Sequence, residues 1–264
     1  MTASASAGKI DPMEQFMVEP VLGRHLNLFG YDVSFTNSAL FMVVVFVALA
    51  VFMSGGLKRQ LIPGRWQVMA EGAVSFIDNM VTTSIGSGGK KFAPYIFSLF
   101  FFILFANFIG IVPLAIVPGL HTFAVTSHIT VSAVLAFLSF GIVVLVGLFK
   151  HGLKFFSLFV PHGAPAWLMP VIIPVEFVSF MVRPFSLALR LFVAMTAGHI
   201  LLEVFGSFVV QGLDAGGPLG WLVSALSFVM IVGVSALELL VCAIQAYVFA
   251  LLTSLYLHDA VHLH

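Results

Sequence analysis

Apolar residues fill the chain in five long runs, and the polar positions between and within them carry most of the information. The first run, FTNSALFMVVVFVALAVFM, spans Phe35–Met53. A helix rises about 1.5 Å per residue, so this run can cross a hydrocarbon core of about 30 Å. The second extends from about Phe92 to Val117 and contains Asn107 and Pro113. The third extends from about Val125 to Phe149, with His128, Thr130 and Ser132 near its start. The last two, about Val171–Val210 and about Leu219–Leu257, exceed the roughly 20 residues that a span needs. They are expected to tilt strongly, to kink at Pro174 or Pro184, or to lie partly across the membrane. Between them, QGLDAGGPLG reads as a turn from its Gly and Pro content.

One segment departs from this pattern. In GRWQVMAEGAVSFIDNMVTTSI, the apolar residues Trp66, Met69, Ala73, Phe76, Ile77 and Met80 recur at three-to-four spacing, and Glu71 and Asp78 interrupt them. That period predicts an amphipathic helix on the membrane surface or against a partner, with the two acids on a solvated face. The expected fold is therefore all-α. It is a polytopic membrane protein with about five membrane helices, an amphipathic surface helix and two long tilted C-terminal helices. Residues 1–34 form an N-terminal extra-cytoplasmic segment, and residues 35–264 form the integral membrane domain.

Composition agrees with membrane residence. The chain is 61% hydrophobic, has a mean hydropathy of +1.14 and is only 8% charged, against about 25% charged residues in soluble domains. Eleven basic and eleven acidic residues balance, which gives no basis for nucleic-acid binding. The polar start, MTASASAGKIDPMEQFMVEP, does not read as a secretory signal. A single cysteine, Cys242, excludes an intrachain disulfide and a cysteine-cluster metal site. The histidines are scattered: His121 and His162 read as loop residues, and His258, His262 and His264 beside Asp259 as a solvated tail, so no metal site is expected. Lys58, Arg59, Arg65, Lys90, Lys91, Lys150 and Lys154 all fall on one side of the five runs. That side is expected to be cytoplasmic, with the N-terminus outside and the C-terminus inside.

The fourth run holds the least expected residue. PFSLALRLFVAMTAGHILLE carries Arg190 deep in an apolar tract, where a cation costs at least a few kcal/mol. No acid stands three or four residues away, so its partner is not local. On a straight helix, Glu176, Ser179, Arg183 and Ser186 fall within roughly 40° of Arg190, toward the cytoplasmic end. Thr196, His199, Glu203 and Ser207 fall at roughly 180–260°, toward the outer end. One helix thus carries two offset polar tracks, each ending near mid-depth. On the fifth run, Glu238, Cys242 and Gln245 share a face, and antiparallel packing brings Glu238 toward His199. Two ionisable groups together in low dielectric suit a proton relay. Simpler roles compete. Serines and threonines in membrane helices often bond only to backbone. Glu176 with Arg183, or His199 with Glu203, can form local pairs.

EFVSFMVRPFSLALRLFVAMTAGH (Glu176–His199) resembles the signature of subunit a of F-type ATP synthases, and ELLVCAIQAYVFALLTSLYL resembles the last helix of that family. PGRWQVMAEG and ANFIGIVP are similar to its earlier blocks. The resemblance implies a stator beside a rotating ring of c subunits, with b-type stalk subunits linking it to the soluble ATPase sector. It implies that Arg190 faces the ring carboxylate, that Glu176 serves the cytoplasmic half-channel and that Gln245 packs near the arginine. It gives His199 and Glu238 to the outer half-channel. Glu203, one turn from His199 on the same face, is expected to lie nearer the outside and to feed that pair. Relative to one well-known bacterial pattern, the acid and the imidazole of that pair are exchanged here. Ala194 stands where many members have asparagine, and His128 where relatives often carry a polar or acidic group. Asn107, Ser179, Arg183, Ser186 and Thr196 are further channel candidates. No cofactor is implied. No GxxxxGK[ST] occurs, so ATP chemistry belongs to other subunits. The implied location is a bacterial inner membrane, with a mitochondrial or plastid membrane also compatible. A stand-alone transporter or channel using Arg190 to bind an anion is the alternative, and copurification with a ring and a soluble ATPase separates the two.

Overall fold

A computed structural model of the chain describes residues 27–28, 31–32, 36–56, 64–111, 125–152, 154–155 and 168–262. Six helices make up nearly all of it: α1 Asn37–Gly56, α2 Arg65–Ile85, α3 Ala93–Ile111, α4 Ile129–His151, α5 Met169–Ala215 and α6 Gly217–Val261. Short 3-10 turns, Ser87–Lys91 and Val125–Ser127, precede α3 and α4. A two-residue antiparallel ladder pairs Asn27–Leu28 with Tyr31–Asp32. Apart from this ladder, the N-terminal segment expected at 1–34 lies outside the described residues, as do Lys58, Arg59, Pro113, His121, His162 and His264.

All helices except α2 are long and apolar enough to cross a membrane. Their outer surfaces are apolar too: Phe46, Val134, Phe149, Leu226 and Val229 are each more than half exposed. Such a surface suits lipid, where an apolar exterior costs nothing. The interior is small and tightly shared. Ile96 and Ile103 of α3, Ala136 and Val143 of α4, Leu191 of α5 and Phe249 and Leu257 of α6 are almost fully buried together.

The amphipathic segment does form α2, but not as a helix lying only on a surface. It packs against α1, α3 and α6. Ile77, Val81 and Ile85 enter the core, and Trp66 Nε1 donates to the Phe52 carbonyl of α1 at 3.0 Å. Met69 and Phe76, expected on the same buried face, are instead 56% and 47% exposed. The period located the helix, but three neighbours rather than one decide which apolar residues are covered.

The two C-terminal helices are longer than their apolar runs. α5 has 47 residues and α6 has 45, so each is about 70 Å long. Fitting such a helix within a bilayer of about 40–45 Å requires an inclination of roughly 50°. α5 continues through Pro174 and Pro184, each of which removes one i→i−4 hydrogen bond. The expected ten-residue turn shrinks to Gly216, because α5 continues to Ala215 and α6 begins at Gly217. Gly216 and Gly217 have φ of 63° and 73°, a region that residues with a Cβ seldom occupy. Two glycines in succession thus allow an abrupt reversal, and α5 and α6 run antiparallel as the most extensively packed pair. Ser224 of α6 donates to the Val209 carbonyl of α5 at 2.9 Å near this reversal.

Candidate functional site

The reversal at Gly216 fixes the register in which α5 and α6 meet. Residues whose numbers sum to about 437 face each other, and this rule brings His199 opposite Glu238. His199 Nδ1 lies 3.6 Å from Glu238 Oε1, and the two side chains are 10% and 2% exposed. The glutamate occupies the space over Gly198. A Cβ built there would stand 2.6 Å from Glu238 Oε1 and 2.9 Å from its Cδ. Neither α5 nor α6 supplies a hydrogen bond to the outer nitrogen of the imidazole, and among the described residues His199 Nε2 and Glu238 Oε2 are buried without one. A buried polar atom without a protein partner costs about 1–3 kcal/mol unless water serves it. The pair therefore places an imidazole and a carboxyl, two groups able to exchange protons, side by side in a buried setting.

A second polar layer lies next to it. Asn107 of α3 is fully buried and directs Nδ2 to the Cys242 carbonyl of α6 at 3.4 Å. Its Oδ1 accepts from Thr126 Oγ1 at 2.8 Å. Ser132 of α4 donates to the Thr126 carbonyl at 2.8 Å, and Thr196 of α5 donates to the Ser127 carbonyl at 3.3 Å. The 3-10 turn Val125–Ser127 is thus bonded to three helices. His128 follows it as the N-cap of α4. Cys242 Sγ contacts Met195 Sδ at 3.5 Å between the two layers and lies fully buried.

Arg190 is on the other side of α5. It is exposed, and no ion pair among the described residues includes it. Gln245 of α6 is buried at about the same level, with Nε2 lacking a hydrogen-bond partner among the described residues. Ser179 and Ser186 are exposed along the Arg190 face, and Glu176 is half-buried near the start of α5. Glu203 is half-buried one turn beyond His199. The structure thus brings His199 and Glu238 together, and leaves Arg190 apart from both. Arg183 does not pair with Glu176. Its Nη1 lies 3.2 Å from Asp259 Oδ2 of α6, and its guanidinium stacks over Tyr256 at 4.9 Å.

Of the C-terminal residues expected as a solvated tail, His258 and Asp259 belong to α6 and are half-buried, while His262 is exposed. α6 reaches Val261, whose carbonyl accepts from Lys150 Nζ at 3.0 Å and contacts His151 Nε2 at 3.0 Å. The rings of His258 and His262 lie 4.7 Å apart. Among the described residues, no group of three His, Cys, Asp or Glu side chains is arranged to hold a metal ion.

Sequence reasoning missed Gly198, Thr126 and Asp259. A small residue beside a polar one on a membrane helix is a signal for close helix approach and points to Gly198. Thr126 and Asp259 act through partners 19 and 76 residues away, a separation that no local pattern encodes.

Comparisons with known proteins agree with the geometry. The profile of the family described as ATP synthase A chain matches residues 37–258. A protein of Sphingopyxis alaskensis titled ATP synthase subunit a is 61% identical over 262 residues, covering 99% of this chain and all of the relative. Proteins of the same title from Rhizorhabdus wittichii and Zymomonas mobilis are 57% and 55% identical, over 99% and 98% of this chain and the whole of each relative. The chain belongs to the ATP synthase A chain family, as a membrane-sector subunit of ATP synthase.

Proposed function

We propose that the chain is the proton-conducting stator against which a ring of c subunits rotates, forming two offset aqueous half-channels that end on either side of Arg190. One observation carries this reading. An exposed cation without an ion-pair partner among the described residues lies on one side of α5, while a buried imidazole–carboxylate pair lies on the other. A partner must neutralise the cation, because an unpaired guanidinium in lipid is costly. A ring of carboxylates that alternate between protonated and ionised forms supplies that partner transiently.

The roles follow from the chemistry. Outer protons enter past Glu203 to the His199–Glu238 pair, where imidazole can accept on one nitrogen and release from the other. They pass to a ring carboxylate, which is stable in lipid when protonated. After nearly a full turn the carboxylate reaches Arg190, whose charge favours the ionised form and releases the proton. The exit runs along Ser186, Ser179 and Glu176 to the cytoplasm. Arg190 also repels hydronium and so blocks direct leakage between the tracks. Guanidinium suits this because it does not lose its proton in proteins. At about 100 mV, each proton contributes about 2.3 kcal/mol of work. Gln245 orients Arg190, and Asn107, Thr196 and His128 support the outer track. Arg183 joins α5 to α6 through Asp259 rather than carrying protons.

The remaining partners are b-type stalk subunits, the soluble ATPase sector held through them, and lipid. The location is a bacterial inner membrane, with the N-terminus periplasmic and the C-terminus cytoplasmic. Family membership leaves the stand-alone transporter reading without support. Membrane vesicles carrying Arg190→Ala test the central role: ATP-driven proton pumping and ATP synthesis are lost while the complex still assembles. Arg190→Lys also fails, because a buried ammonium can deprotonate. Normal coupled synthesis in the alanine variant would overturn the proposal.

A further inference from the structure

The cytoplasmic half of the seam between α5 and α6 holds a second cation. Arg183 stands seven residues before Arg190, almost on the same face of α5 and about 10.5 Å nearer the start of the helix. It therefore falls among Ser186, Ser179 and Glu176, the residues assigned above to the proton exit. Its guanidinium is drawn toward α6. It lies over the rings of Phe180 and Tyr256, 5.4 and 4.9 Å from their centroids, and Nη1 donates to Asp259 Oδ2 at 3.2 Å. Tyr256 and Asp259 stand at i and i+3, so one face of α6 holds both the flat side and the edge of the guanidinium.

Two roles compete for this ion pair. As a mere joint between helices it is weak, because its side chains are 21% and 42% exposed and solvent-exposed pairs contribute little to stability. As a cancellation of charge it matters more. A proton released at the level of Arg190 starts about 10.5 Å from Arg183 along the helix and must pass it. At effective dielectric constants of about 40 to 20, a bare cation at that distance lowers proton occupancy roughly fourfold to fifteenfold. Among the described residues no ion pair joins Arg183 to Glu176, and Asp259 is the acid that balances it. The other oxygen of Asp259, Oδ1, lies 3.7 Å from His258 Nδ1. Lys150 and His151 of α4 reach the Val261 carbonyl just beyond, each at 3.0 Å, so the carboxylate stands among basic groups.

We infer that Asp259 is the charge-compensating residue of the proton exit. It neutralises Arg183 and holds the guanidinium against Tyr256, so that protons leave past Ser186 and Ser179 without meeting a second fixed cation. Arg190 is then the one electrostatic barrier on this face of α5. The inference rests on the half-channel reading proposed above and adds to it a positioning residue on α6.

The test uses the complete complex in membrane vesicles, with passive proton flux measured after removal of the soluble sector. Flux is compared at about 0.01 M and about 1 M salt, between which the Debye length falls from about 30 Å to about 3 Å. Asp259→Asn bares the cation and is expected to slow flux roughly fourfold to fifteenfold at low salt, and far less at high salt. Arg183→Gln leaves no cation to repel protons and is not slowed. Adding Arg183→Gln to Asp259→Asn restores the flux that Asp259→Asn alone loses, and Asp259→Glu, which keeps the charge, retains it. A simple joint between α5 and α6 behaves otherwise: Arg183→Gln and the double variant are then as slow as Asp259→Asn, at either salt concentration. That pattern overturns the inference, as does unchanged flux in Asp259→Asn. Arg183→Gln and the double variant carry no bare cation, so slow flux in either one overturns it even where Asp259→Asn fails to assemble. Failure of the half-channel reading itself shows separately, as normal coupled synthesis in Arg190→Ala.

Discussion

Gly198→Ala is a one-carbon test of the proposed outer half-channel. The added Cβ would stand 2.6 Å from Glu238 Oε1, 2.9 Å from its Cδ and 3.2 Å from its Cγ. Ordinary contacts lie at about 3.5–4.0 Å, so the carboxyl must withdraw by about 1 Å. It already lies 3.6 Å from His199 Nδ1, beyond direct hydrogen-bond range. A further retreat separates the two groups and lengthens the proton transfer between them. Helix stability changes in the other direction, since alanine is favoured over glycine by roughly 0.5–1 kcal/mol within a helix. The expected result is a complex that assembles normally yet pumps protons several-fold more slowly. The assay is ATP-driven acidification of vesicles, with passive proton flux measured after removal of the soluble sector. Glu238→Asp alone shortens the acid by one carbon, about 1.5 Å, and should slow pumping in the same way. Wild-type pumping in Gly198→Ala or in Glu238→Asp would refute the account.

Two further outcomes follow from the same layout. The exchanged variant His199→Glu with Glu238→His should pump faster than His199→Glu alone, which leaves two acids together; additive effects in a double-mutant cycle on pumping rate would show that the groups do not interact. Glu176→Gln should slow passive proton flux while leaving pumping coupled to ATP hydrolysis, because it lies about 21 Å from Arg190 along the helix. Unchanged flux in stripped vesicles would make Glu176 structural.

Most of the architecture was legible because lipid imposes simple rules. Five apolar runs become five spans, since a backbone in hydrocarbon must bond to itself. Arg190 was conspicuous for the same reason: a cation inside a greasy helix has few explanations. The pair of polar tracks followed from angular spacing alone, which a continuous α5 preserves.

What the sequence could not decide is how the helices meet. The candidate turn spanned ten residues, and only the positive φ of Gly216 and Gly217 sets the register that brings His199 to 3.6 Å from Glu238. Shifting that register by one residue rotates a facing side chain by about 100°. The sequence offered Glu176 as a partner for Arg183, and antiparallel packing gave it Asp259, distant in sequence, instead. The period of α2 announced a helix with one apolar face, but contact with α1, α3 and α6 divided that face. Local chemistry determines which elements form and which residues are costly in lipid. Relations between elements depend on packing across tens of residues, and only the folded chain contains that information.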